Sequence, residues 1–473
     1  MRPTLTTSLA LLLVAAGCGK RVDGPNILLI TLDTTRRDHL GMYGYPIPTS
    51  PSLDRLAKDS IVYTQAYATS SWTLPTHASM FTGKFPSAHG ANYDPEGPLN
   101  LGDGIGAQYG AYRARPIAAD EVTLAQLLTE HGYETGGIIA GPWLLERFRL
   151  GKGFEHYDDE GVTALNGRPA KDVTDAAIEY VDEHADDAFF LFLNYYDPHS
   201  PWWREPPKDE KGQPTGSPEA LQDVRPVFPP GVDPTRVDMV TYAKICYDAE
   251  IHYMDREIGR LLDHLKLSGL FENTWIFVLA DHGDLIGDPV LGETLLWGHG
   301  DSLTQAEIHI PFLVKEPGPL ARKGDDPTPV QQVDILPTIV QRLGLPLPPH
   351  VQGTPIGGSH PIVAELYKLP MMNQRIEGPS AKDWRHLGDW RVLVDGKDKY
   401  GWSSNDTPFL IDLARDPEER VNVVEQKPAL AQRLDQALKA YIRLLPKPGA
   451  TGPVEQPTPA ELELLKSLGY VGE

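Results

Sequence analysis

Residues able to bind a divalent cation follow two apolar runs of the sequence. Asp33 comes directly after the run Asn26–Leu32, and the pair Asp281 and His282 comes directly after a second run, which ends at Ala280. Carboxylate oxygens and an imidazole nitrogen are common ligands of divalent ions. Structural roles are the alternatives: Asp33 can cap the turn after a strand, and Asp281 with His282 can form a buried pair without metal.

A hydroxyl stands at the predicted start of a helix in the segment 70–83. Pro75 presets a first helical turn, so the hydroxyl of Thr73 would lie near free backbone N–H groups and the positive end of the helix dipole. Beside a metal ion such a hydroxyl can lose its proton and attack phosphorus or sulfur. The alternative is that Thr73 only caps the helix.

Two further residues near these segments can contact an anion. Arg36 follows Asp33 by three positions and can neutralise an anionic ligand. His199 stands in a proline-rich turn after a third apolar run and can act as a hydrogen-bond donor or a general acid. A purely structural histidine is the alternative at that turn.

The apolar runs predict strands, and the periodic segments between them predict helices. Runs typical of buried strands cover residues 26–32, 136–140, 189–194, 275–280 and 311–315. Helical patterns cover residues 123–131, 171–184, 239–267 and 335–343. This alternation predicts an α/β fold with a largely parallel sheet sandwiched by helices. Since sites in such folds lie beyond the carboxyl ends of strands, we expect Asp33, His199 and Asp281 to converge.

Three regions depart from the alternation. The glycine-rich segment 94–115 predicts either a surface loop that could close over a site or a disordered insertion, and the segment 200–238 is rich in proline and charge. After residue 348, short runs at 391–394 and 408–413 and a helical pattern at 429–445 predict a smaller α+β subdomain. The predicted parts are a signal segment (1–18), a tether (19–25), a main domain (26–347), a C-terminal subdomain (348–450), and a proline-rich linker with a terminal helix (451–473).

The N-terminus has the pattern of an export signal. Arg2 precedes an apolar run over residues 9–16 that is too short to span a bilayer, and small residues stand directly before Cys18. The pattern resembles a bacterial lipoprotein signal, in which Cys18 is lipidated and becomes the first mature residue. We therefore expect a location in the cell envelope, with membrane contact only through this lipid; ordinary secretion is the alternative.

The charge balance argues against one class of partner. The chain of 473 residues has 43 basic and 65 acidic side chains, which gives a formal net charge of −22. Such a negative field repels phosphate backbones, so we expect no nucleic-acid partner. No later stretch has the roughly 18 consecutive apolar residues that a membrane span requires.

Segments along most of the chain, taken in order, resemble the sulfatase branch of the alkaline-phosphatase superfamily. They begin with DTTRRDHLGMYGY and TLPTHASMFTG, continue through FFLFLNYYDPHSPW, NTWIFVLADHGD and WGHGDSLTQAEIHIPFLV, and end with FLIDLARDPEERVNV and LLKSLGYV. The resemblance implies an α/β sandwich around a mixed sheet, a divalent cation at the strand ends, and an ester of sulfate or phosphate as substrate. By this likeness, residues Asp33, Thr73, Asp281 and His282 contact the metal.

The resemblance also implies roles around the substrate. Thr73 matches the nucleophile, and His199 matches a histidine that contacts the substrate. His299 falls where many sulfatases have a lysine near the oxygen of the leaving group. The expected cofactor is one divalent cation: calcium, magnesium or manganese, with zinc as a further candidate.

The departures from the family pattern concern the nucleophile most of all. Active sulfatases have Cys or Ser in a CxPxR or SxPxR motif, which is oxidised to formylglycine. This chain has Thr73 at that position and His77 in place of the arginine. Oxidation of a threonine gives at best a ketone, because its Cβ carries a methyl group, so no formylglycine is expected. Related phosphodiesterases and phosphoethanolamine transferases use a threonine nucleophile.

Other departures concern the charges around the anion. Thr34 replaces a second metal-binding aspartate, and the segment 140–145 (AGPWLL) lacks the lysine and histidine that grip sulfate in formylglycine sulfatases. We expect His77, one helical turn after Thr73, to bind the same anion in place of the missing arginine, so that binding weakens as pH rises through its pKa. Asp248 and His252, four residues apart, have the spacing of a second metal site, but their segment resembles one that in the sulfatase branch is a helix packed beside the core, and one cation is expected.

These features predict a metal-dependent hydrolase of sulfate or phosphate esters with a threonine nucleophile, and they favour phosphoester chemistry. Thr73 attacks in line, and His199 or His299 protonates the departing oxygen. The substrate is an anionic ester of a small molecule, a glycan or a lipid headgroup. Two alternatives stay open: an envelope phosphotransferase resembling the phosphoethanolamine transferases, and a binding protein that keeps the fold without catalysis.

Overall fold

The computed structural model describes most of the chain. The described ranges are residues 22–200, 239–289, 295–300, 302–349, 351–367, 389–403, 408–445 and 458–468. The predicted signal segment with Cys18 and nearly all of the segment 200–238 lie outside these ranges.

The strands and helices are numbered in chain order. The strands are β1 Asn26–Leu32, β2 Ile61–Tyr63, β3 Ala66–Tyr67, β4 Asn92–Tyr93, β5 Leu99–Asn100, β6 Arg113–Arg115, β7 Glu134–Ile138, β8 His156–Asp158, β9 Phe189–Tyr195, β10 Thr274–Ala280, β11 Leu285–Pro289, β12 Leu295–Gly298, β13 Phe312–Lys315, β14 Gly324–Asp326, β15 Val330–Gln331, β16 Ile362–Leu366, β17 Trp390–Asp395, β18 Asp398–Ser403 and β19 Phe409–Asp412. The α-helices are α1 Pro51–Ala57, α2 Thr73–Thr82, α3 Pro86–His89, α4 Gly102–Ile105, α5 Leu124–Glu130, α6 Ala170–Glu183, α7 Met239–Leu267, α8 Gln305–Ile308, α9 Ile335–Arg342, α10 Pro428–Leu444 and α11 Pro459–Ser467. In the part of the chain that the structure describes, no helix is both long and apolar enough to cross a membrane.

An eight-stranded mixed sheet forms the centre of the main domain. Its strand order is β14-β2-β13-β10-β1-β9-β7-β8. Strands β10, β1, β9, β7 and β8 run parallel to one another, whereas β13 is antiparallel to both β10 and β2. The predicted α/β fold with a mixed, largely parallel sheet is confirmed.

The residues of β1 explain why helices cover both faces of this sheet. Ile27 and Leu29 belong to one buried cluster, in which helices α2, α5 and α9 pack on the sheet. Leu28 and Ile30 belong to a second cluster, in which α1, α6 and α7 pack on the opposite face. Successive side chains of a strand point to opposite faces, so a strand that is apolar throughout needs cover on both sides.

Residues 94–115 are folded, which corrects the expectation of a surface loop or a disordered insertion. β4, β5 and β6 pair as a three-stranded antiparallel sheet in the order β4-β6-β5. Leu101, Ile105 and Ala114 are buried in the core of the main domain. The sequence gives no sign of these strands because each has only two or three residues, too few for a detectable alternation.

The C-terminal part contains a second, antiparallel sheet in the order β16-β17-β18-β19. Leu434, Leu438 and Tyr441 of α10 pack in one buried cluster with Leu393 of this sheet. Phe85 of the main domain belongs to the same cluster. The smaller C-terminal sheet is therefore joined to the main domain through a shared hydrophobic core.

A buried ion pair lies near this junction and makes one testable contribution to stability. Nε2 of His360 lies 2.8 Å from Oδ1 of Asp334, and both side chains are buried. Burial opposes the charge of His360, but the negative charge and the hydrogen bond of Asp334 raise its pKa above the ordinary value. A raised histidine pKa stabilises the folded state below the unfolded value and ceases to do so as pH rises through the folded value.

We therefore expect His360→Gln to lower the free energy of unfolding by about 1 to 3 kcal/mol at about pH 6, and by less at about pH 9. Thermal unfolding of both proteins at the two pH values measures the difference. An equal difference at both values would show that the charge of His360 contributes nothing to stability.

Candidate active site

The pairing of the central strands brings the predicted metal ligands together. In the parallel register, Leu32 at the end of β1 lies beside Ala280 at the end of β10. Asp33 and Asp281 are the residues that directly follow these two strands. Both carboxyl groups are fully buried. Ligand atoms of Asp33, Asp281 and His282 all lie within 4.8 Å of one another. These three residues are the candidate metal group.

The donor atoms of the candidate metal group fit a cation. Both carboxylate oxygens of Asp33 and the Oδ2 atom of Asp281 are buried and have no hydrogen-bond partner among the described residues. Burial, followed by the charge of Asp281, raises the pKa of Asp33 well above its ordinary value. Burial also raises the pKa of Asp281. Two adjacent buried carboxylates need a compensating positive charge, which a divalent cation supplies.

His282 presents one ring nitrogen to this group. Its Nδ1 donates to the carbonyl oxygen of Gly283 at 2.8 Å, so Nε2 carries the free lone pair. Nε2 lies 3.3 Å from Oδ2 of Asp281 and 3.4 Å from Oγ1 of Thr73. Burial lowers the pKa of His282 well below its ordinary value, which keeps the ring neutral and able to bind a metal.

Thr34 forms the turn that follows Asp33. It has a positive φ of 51°, which is uncommon for a residue with a branched side chain. Its N–H donates to Oδ1 of Asp281 at 3.0 Å, and its carbonyl oxygen accepts from the hydroxyl of Tyr247 at 2.6 Å. Its own hydroxyl oxygen is buried and has no partner within the described ranges. Thr34 thus positions Asp281 through its backbone N–H.

Thr73 lies at the first turn of α2 and faces the candidate metal group. The N-cap residue of the helix is Trp72, whose side chain makes no capping hydrogen bond, so Thr73 is not the cap. The side chain of Thr73 is 1% exposed, and its Oγ1 is the atom 3.4 Å from Nε2 of His282. A hydroxyl with this position can act on an anion bound at the group.

Both ring nitrogens of His77 have partners within the protein, in contrast to the sequence-based expectation that this residue binds the anion. Its Nδ1 donates to the carbonyl oxygen of Thr73 at 2.8 Å, and its Nε2 lies 3.0 Å from the hydroxyl of Thr31. Nδ1 also lies 3.9 Å from Oδ2 of Asp281, beside the candidate metal group. Burial lowers the pKa of His77 to about 4, so it lacks the positive charge of the missing arginine near neutral pH. His77 therefore supports the start of α2, and these contacts give no support to its expected role in binding the anion.

The guanidinium of Arg36 is also engaged by groups of the protein, in place of the expected contact with an anion. Its guanidinium makes two hydrogen bonds with Asp38, at 2.9 and 2.7 Å, and a third with Asp288 at 2.7 Å. It donates in addition to the carbonyl oxygen of Asp284 at 3.2 Å. Two carboxylates compensate one guanidinium here, so the expected role of Arg36 in neutralising the substrate is not supported by these contacts.

His299 stands next to the candidate metal group and has an acidic partner. Its ring centroid lies 4.6 Å from that of His282. Its Nδ1 lies 3.2 Å from Oδ1 of Asp284. Burial opposes the charge of His299, but the hydrogen bond with Asp284 and the charges of Asp284 and Asp281 raise its pKa. His299 is therefore equipped to hold a proton.

His199 lies beside His299, and its pKa is shifted in the opposite direction. Its ring centroid lies 4.9 Å from that of His299, as the convergence of strand ends predicts. Its Nδ1 donates to the carbonyl oxygen of Ser200 at 2.6 Å, which leaves Nε2 as an acceptor. Burial, together with the charge of His299, lowers its pKa well below the ordinary value. The surroundings of His199 thus favour its neutral form, whereas those of His299 favour its charged form.

Asp284 and Tyr196 belong to this site but were not assigned a role from the sequence. Asp284 is the third residue after Asp281 in the same turn, a spacing that could have indicated it. The ring of Tyr196 stacks on that of His199 at 4.4 Å between centroids. The hydroxyl of Tyr196 is buried and has no hydrogen-bond partner in the described part of the chain. Only the fold could place this hydroxyl, because nothing in its local sequence marks it.

The segment that lacks the sulfate-gripping residues contributes an apolar wall. Trp143, in the 3₁₀ turn Pro142–Leu144, packs edge-on against Trp72 with 5.0 Å between ring centroids. Both side chains are almost completely buried. The residue before Thr73 therefore contacts an aromatic ring in the segment where the family resemblance implies cationic residues.

The proposed second cation receives no support from the contacts of Asp248. Its two carboxylate oxygens contact Nδ1 of His39 at 2.6 Å and the hydroxyl of Tyr45 at 2.7 Å. Among the described residues, Asp33, Asp281 and His282 form the only cluster of three such ligands. Asp248 holds the segment after β1 against α7, and no ligand cluster includes His252.

A family model described as Sulfatase matches residues 25–345, more than half of the chain. The chain therefore belongs to the sulfatase family of the alkaline-phosphatase superfamily, a class of hydrolases that act on sulfate or phosphate esters.

Individual relatives agree with this assignment. The chain is 26% identical over 437 residues to an ulvan-active sulfatase of Formosa agariphila, an alignment that covers 85% of this chain and 77% of that protein. It is 24% identical over 474 residues to an arylsulfatase of Clostridium perfringens, covering 89% of this chain and 94% of that protein.

Solved structures share the fold at lower identity. A phosphonate monoester hydrolase of Agrobacterium radiobacter aligns with a TM-score of 0.63 and 21% identity, covering 88% of this chain and 95% of that chain. A protein in complex with its substrate D-glucosamine-2-N,6-O-disulfate aligns with a TM-score of 0.63 and 18% identity, covering 88% of this chain and 97% of that chain.

Proposed function

We propose that this protein cleaves an anionic ester at a divalent cation, with the unmodified hydroxyl of Thr73 as the nucleophile, and that it prefers phosphoryl or phosphonyl esters to sulfate esters. The observation that carries the proposal is the position of Thr73. Its Oγ1 lies 3.4 Å from the metal-facing nitrogen of His282, at the first turn of a helix that a tryptophan precedes.

Asp33, Asp281 and His282 would hold the cation, which would supply positive charge that lowers the pKa of a neighbouring hydroxyl and stabilises the negative charge of the ester. The N-terminal turn of α2 adds backbone N–H groups and a positive dipole end on the same side as Thr73. Because the site is buried, these charges act with little screening by water.

His299 is the residue we assign to protonation of the leaving oxygen. Its hydrogen bond to Asp284 favours the charged form, and it stands next to His282. His199, with its free Nε2, is the residue we assign to accept a proton from the water that releases the product from Thr73. The hydroxyl of Thr73 would lose its proton to solvent water once a cation lowers its pKa; its oxygen then forms a bond to phosphorus while the bond to the leaving oxygen breaks and His299 gives that oxygen its proton. In the second step water attacks phosphorus, His199 accepts a proton of that water, and the bond between phosphorus and Oγ1 of Thr73 breaks.

The preference for phosphorus rests on the chemistry of a threonine ester. The hydrated aldehyde of a formylglycine has two hydroxyls on one carbon, and the second can expel a bound sulfate as the aldehyde re-forms. An ester on Thr73 has no second hydroxyl on that carbon, so release requires attack on the transferred group itself. A phosphoryl ester supports this second displacement at a metal site.

The relatives indicate the substrate class. Names of the relatives include sulfatases active on ulvan and a phosphonate monoester hydrolase. We infer that the substrate of this chain is an anionic ester of a small molecule or glycan. We also propose, from Cys18 and the residues before it, that the protein acts in the cell envelope as a lipoprotein.

A panel of substrates with one leaving group tests this proposal. Purified protein is assayed with three 4-nitrophenyl compounds: a phosphodiester, a phosphonate monoester and the sulfate ester. Each assay is run with and without added calcium, magnesium, manganese or zinc. We expect metal-dependent turnover, with kcat/KM at least about tenfold higher for one of the phosphorus esters than for the sulfate. Faster turnover of the sulfate would contradict the preference for phosphorus, and no turnover of any ester would favour the binding-protein alternative.

A further inference from the structure

A second polar pocket lies outside the candidate active site. It has a volume of about 510 Å³ and is formed where the segment 36–38 and helices α7 and α8 meet the C-terminal segment 417–420. None of the three candidate metal ligands lines it. We call this the Arg37 pocket.

The acidic side chains that line the Arg37 pocket are compensated by partners already in contact with them. Arg36 pairs with Asp38 and with Asp288, each at 2.7 Å. Arg420 pairs with Glu418 at 2.5 Å. Glu419, the remaining acidic residue of the pocket, is held by Lys399 at 2.6 Å. These carboxylates therefore offer little capacity for a cation.

Arg37 presents a fixed positive charge to the pocket. Its guanidinium carbon lies 4.5 Å from the centre of the Tyr43 ring. Nη1 of Arg37 lies 3.2 Å from Nδ1 and 3.0 Å from Nε2 of His309, and Nε2 also lies 3.0 Å from the carbonyl oxygen of Thr64. Burial and the charge of Arg37 lower the pKa of His309 to about 3, which makes His309 a neutral acceptor and not a competing cation.

Two hydrogen-bond donors in this pocket lack acceptors. The Nε atom of Arg37 and the Nε2 atom of Gln305 are both buried, and neither has a partner among the residues that the structure describes. Lys244 contributes a further ammonium group to the lining. Buried donors without acceptors favour a ligand that supplies acceptor oxygens and negative charge.

We propose that the Arg37 pocket binds an oxyanion, that is, a carboxylate, sulfate or phosphate group, through Arg37, Lys244 and Gln305. Arg36, which also lines this pocket, donates to the carbonyl oxygen of Asp284, three residues after the candidate metal ligand Asp281, at 3.2 Å. The oxyanion is either a free inorganic ion or a second acidic group on the substrate; the latter source rests on the proposed function.

The first experiment measures binding alone and does not depend on catalysis. The melting temperature of the full chain is measured in sodium sulfate and in sodium chloride of equal ionic strength, for the wild type and for Arg37→Met, Lys244→Met and Lys439→Met. A bound ion stabilises the folded state by an amount that grows with its concentration relative to its dissociation constant. We expect the sulfate-specific rise to fall by more than half in the first two variants and to persist in Lys439→Met, because Lys439 pairs with Asp435 on α10 and does not line the pocket.

The second experiment identifies the source of the oxyanion. Two 4-nitrophenyl phosphodiesters are compared, and 4-nitrophenol is the leaving group of both. The second alcohol, which stays bound to phosphorus, carries a carboxylate in one substrate and none in the other. If the pocket binds a second group of the substrate, Arg37→Met lowers the ratio of kcat/KM for the acidic over the neutral substrate by at least about tenfold. An unchanged ratio with a reduced sulfate effect assigns the pocket to a free inorganic ion. Wild-type behaviour of both Arg37→Met and Lys244→Met in the sulfate experiment would overturn the proposal, whether or not the protein turns over esters.

Discussion

Replacing Thr73 by alanine is expected to lower kcat by at least about 10³-fold, because it removes the hydroxyl that we propose forms the covalent ester. Thr73→Ser keeps a hydroxyl at the same position, primary instead of secondary, and is expected to retain measurable turnover. Steady-state kinetics with the best ester of the substrate panel measure both effects. If the alanine variant kept more than about a tenth of wild-type kcat, another group would have to be the nucleophile.

A second threonine of the same helix provides the matched control. Thr82 lies at the end of α2, and its hydroxyl donates to the carbonyl oxygen of Ala78 at 2.7 Å. Thr82→Ala therefore removes a buried hydroxyl from the same helix without touching the site. We expect it to retain nearly full kcat, and its melting temperature sets the scale for any loss of stability in Thr73→Ala.

Asp33→Asn is expected to lower kcat by a comparably large factor, because the cation is lost. The substitution keeps the size of the side chain but removes one of two buried negative charges that oppose each other in the metal-free protein. We expect metal affinity to fall by more than the roughly 10- to 100-fold that second-shell changes cost, with turnover falling in parallel. Metal content after dialysis, measured by mass spectrometry and compared with kcat, checks this.

Asp255 offers the control for removing a buried carboxylate far from the metal group. It accepts N–H groups of Ser52 and Leu53, each at 2.8 Å, at the start of α1. Because both oxygens accept N–H groups, asparagine replaces one acceptor with a donor, so Asp255→Asn is expected to destabilise the fold without touching the metal group. Asp255→Asn should keep its metal and its activity. Equal metal loss in both variants would mean that the effect of Asp33→Asn is a general consequence of destabilisation.

The sequence was sufficient to predict how the metal group forms. The apolar run Asn26–Leu32 is long enough to locate β1, and the run ending at Ala280 locates β10. Once two buried parallel strands are assigned, the residues that follow them, Asp33 and Asp281, are expected at one edge of the sheet. Residues fixed to the ends of long strands are predictable because the strand register fixes their positions.

The directions of long polar side chains could not be predicted in the same way. His77 follows Thr73 by four residues, and helix geometry places the two on one face. Because side chains of a helix lean toward its N-terminus, the ring of His77 reaches the carbonyl oxygen of Thr73. Arg36 is compensated by Asp288, which is distant in the chain and which no local pattern connects to it. The Arg37 pocket likewise depends on a C-terminal segment whose position follows only from packing.

The most direct test of the account is to identify the atom that carries the substrate group during turnover. The enzyme is mixed with its best substrate and quenched in acid during steady state, and the peptide that contains Thr73 is analysed by mass spectrometry. We expect Thr73 to be unmodified in the resting enzyme. During turnover we expect the peptide that contains Thr73 to gain the mass of one phosphoryl or phosphonyl group on that side chain. A substrate-derived group on any other residue, or active turnover with none of this peptide modified, would contradict this expectation.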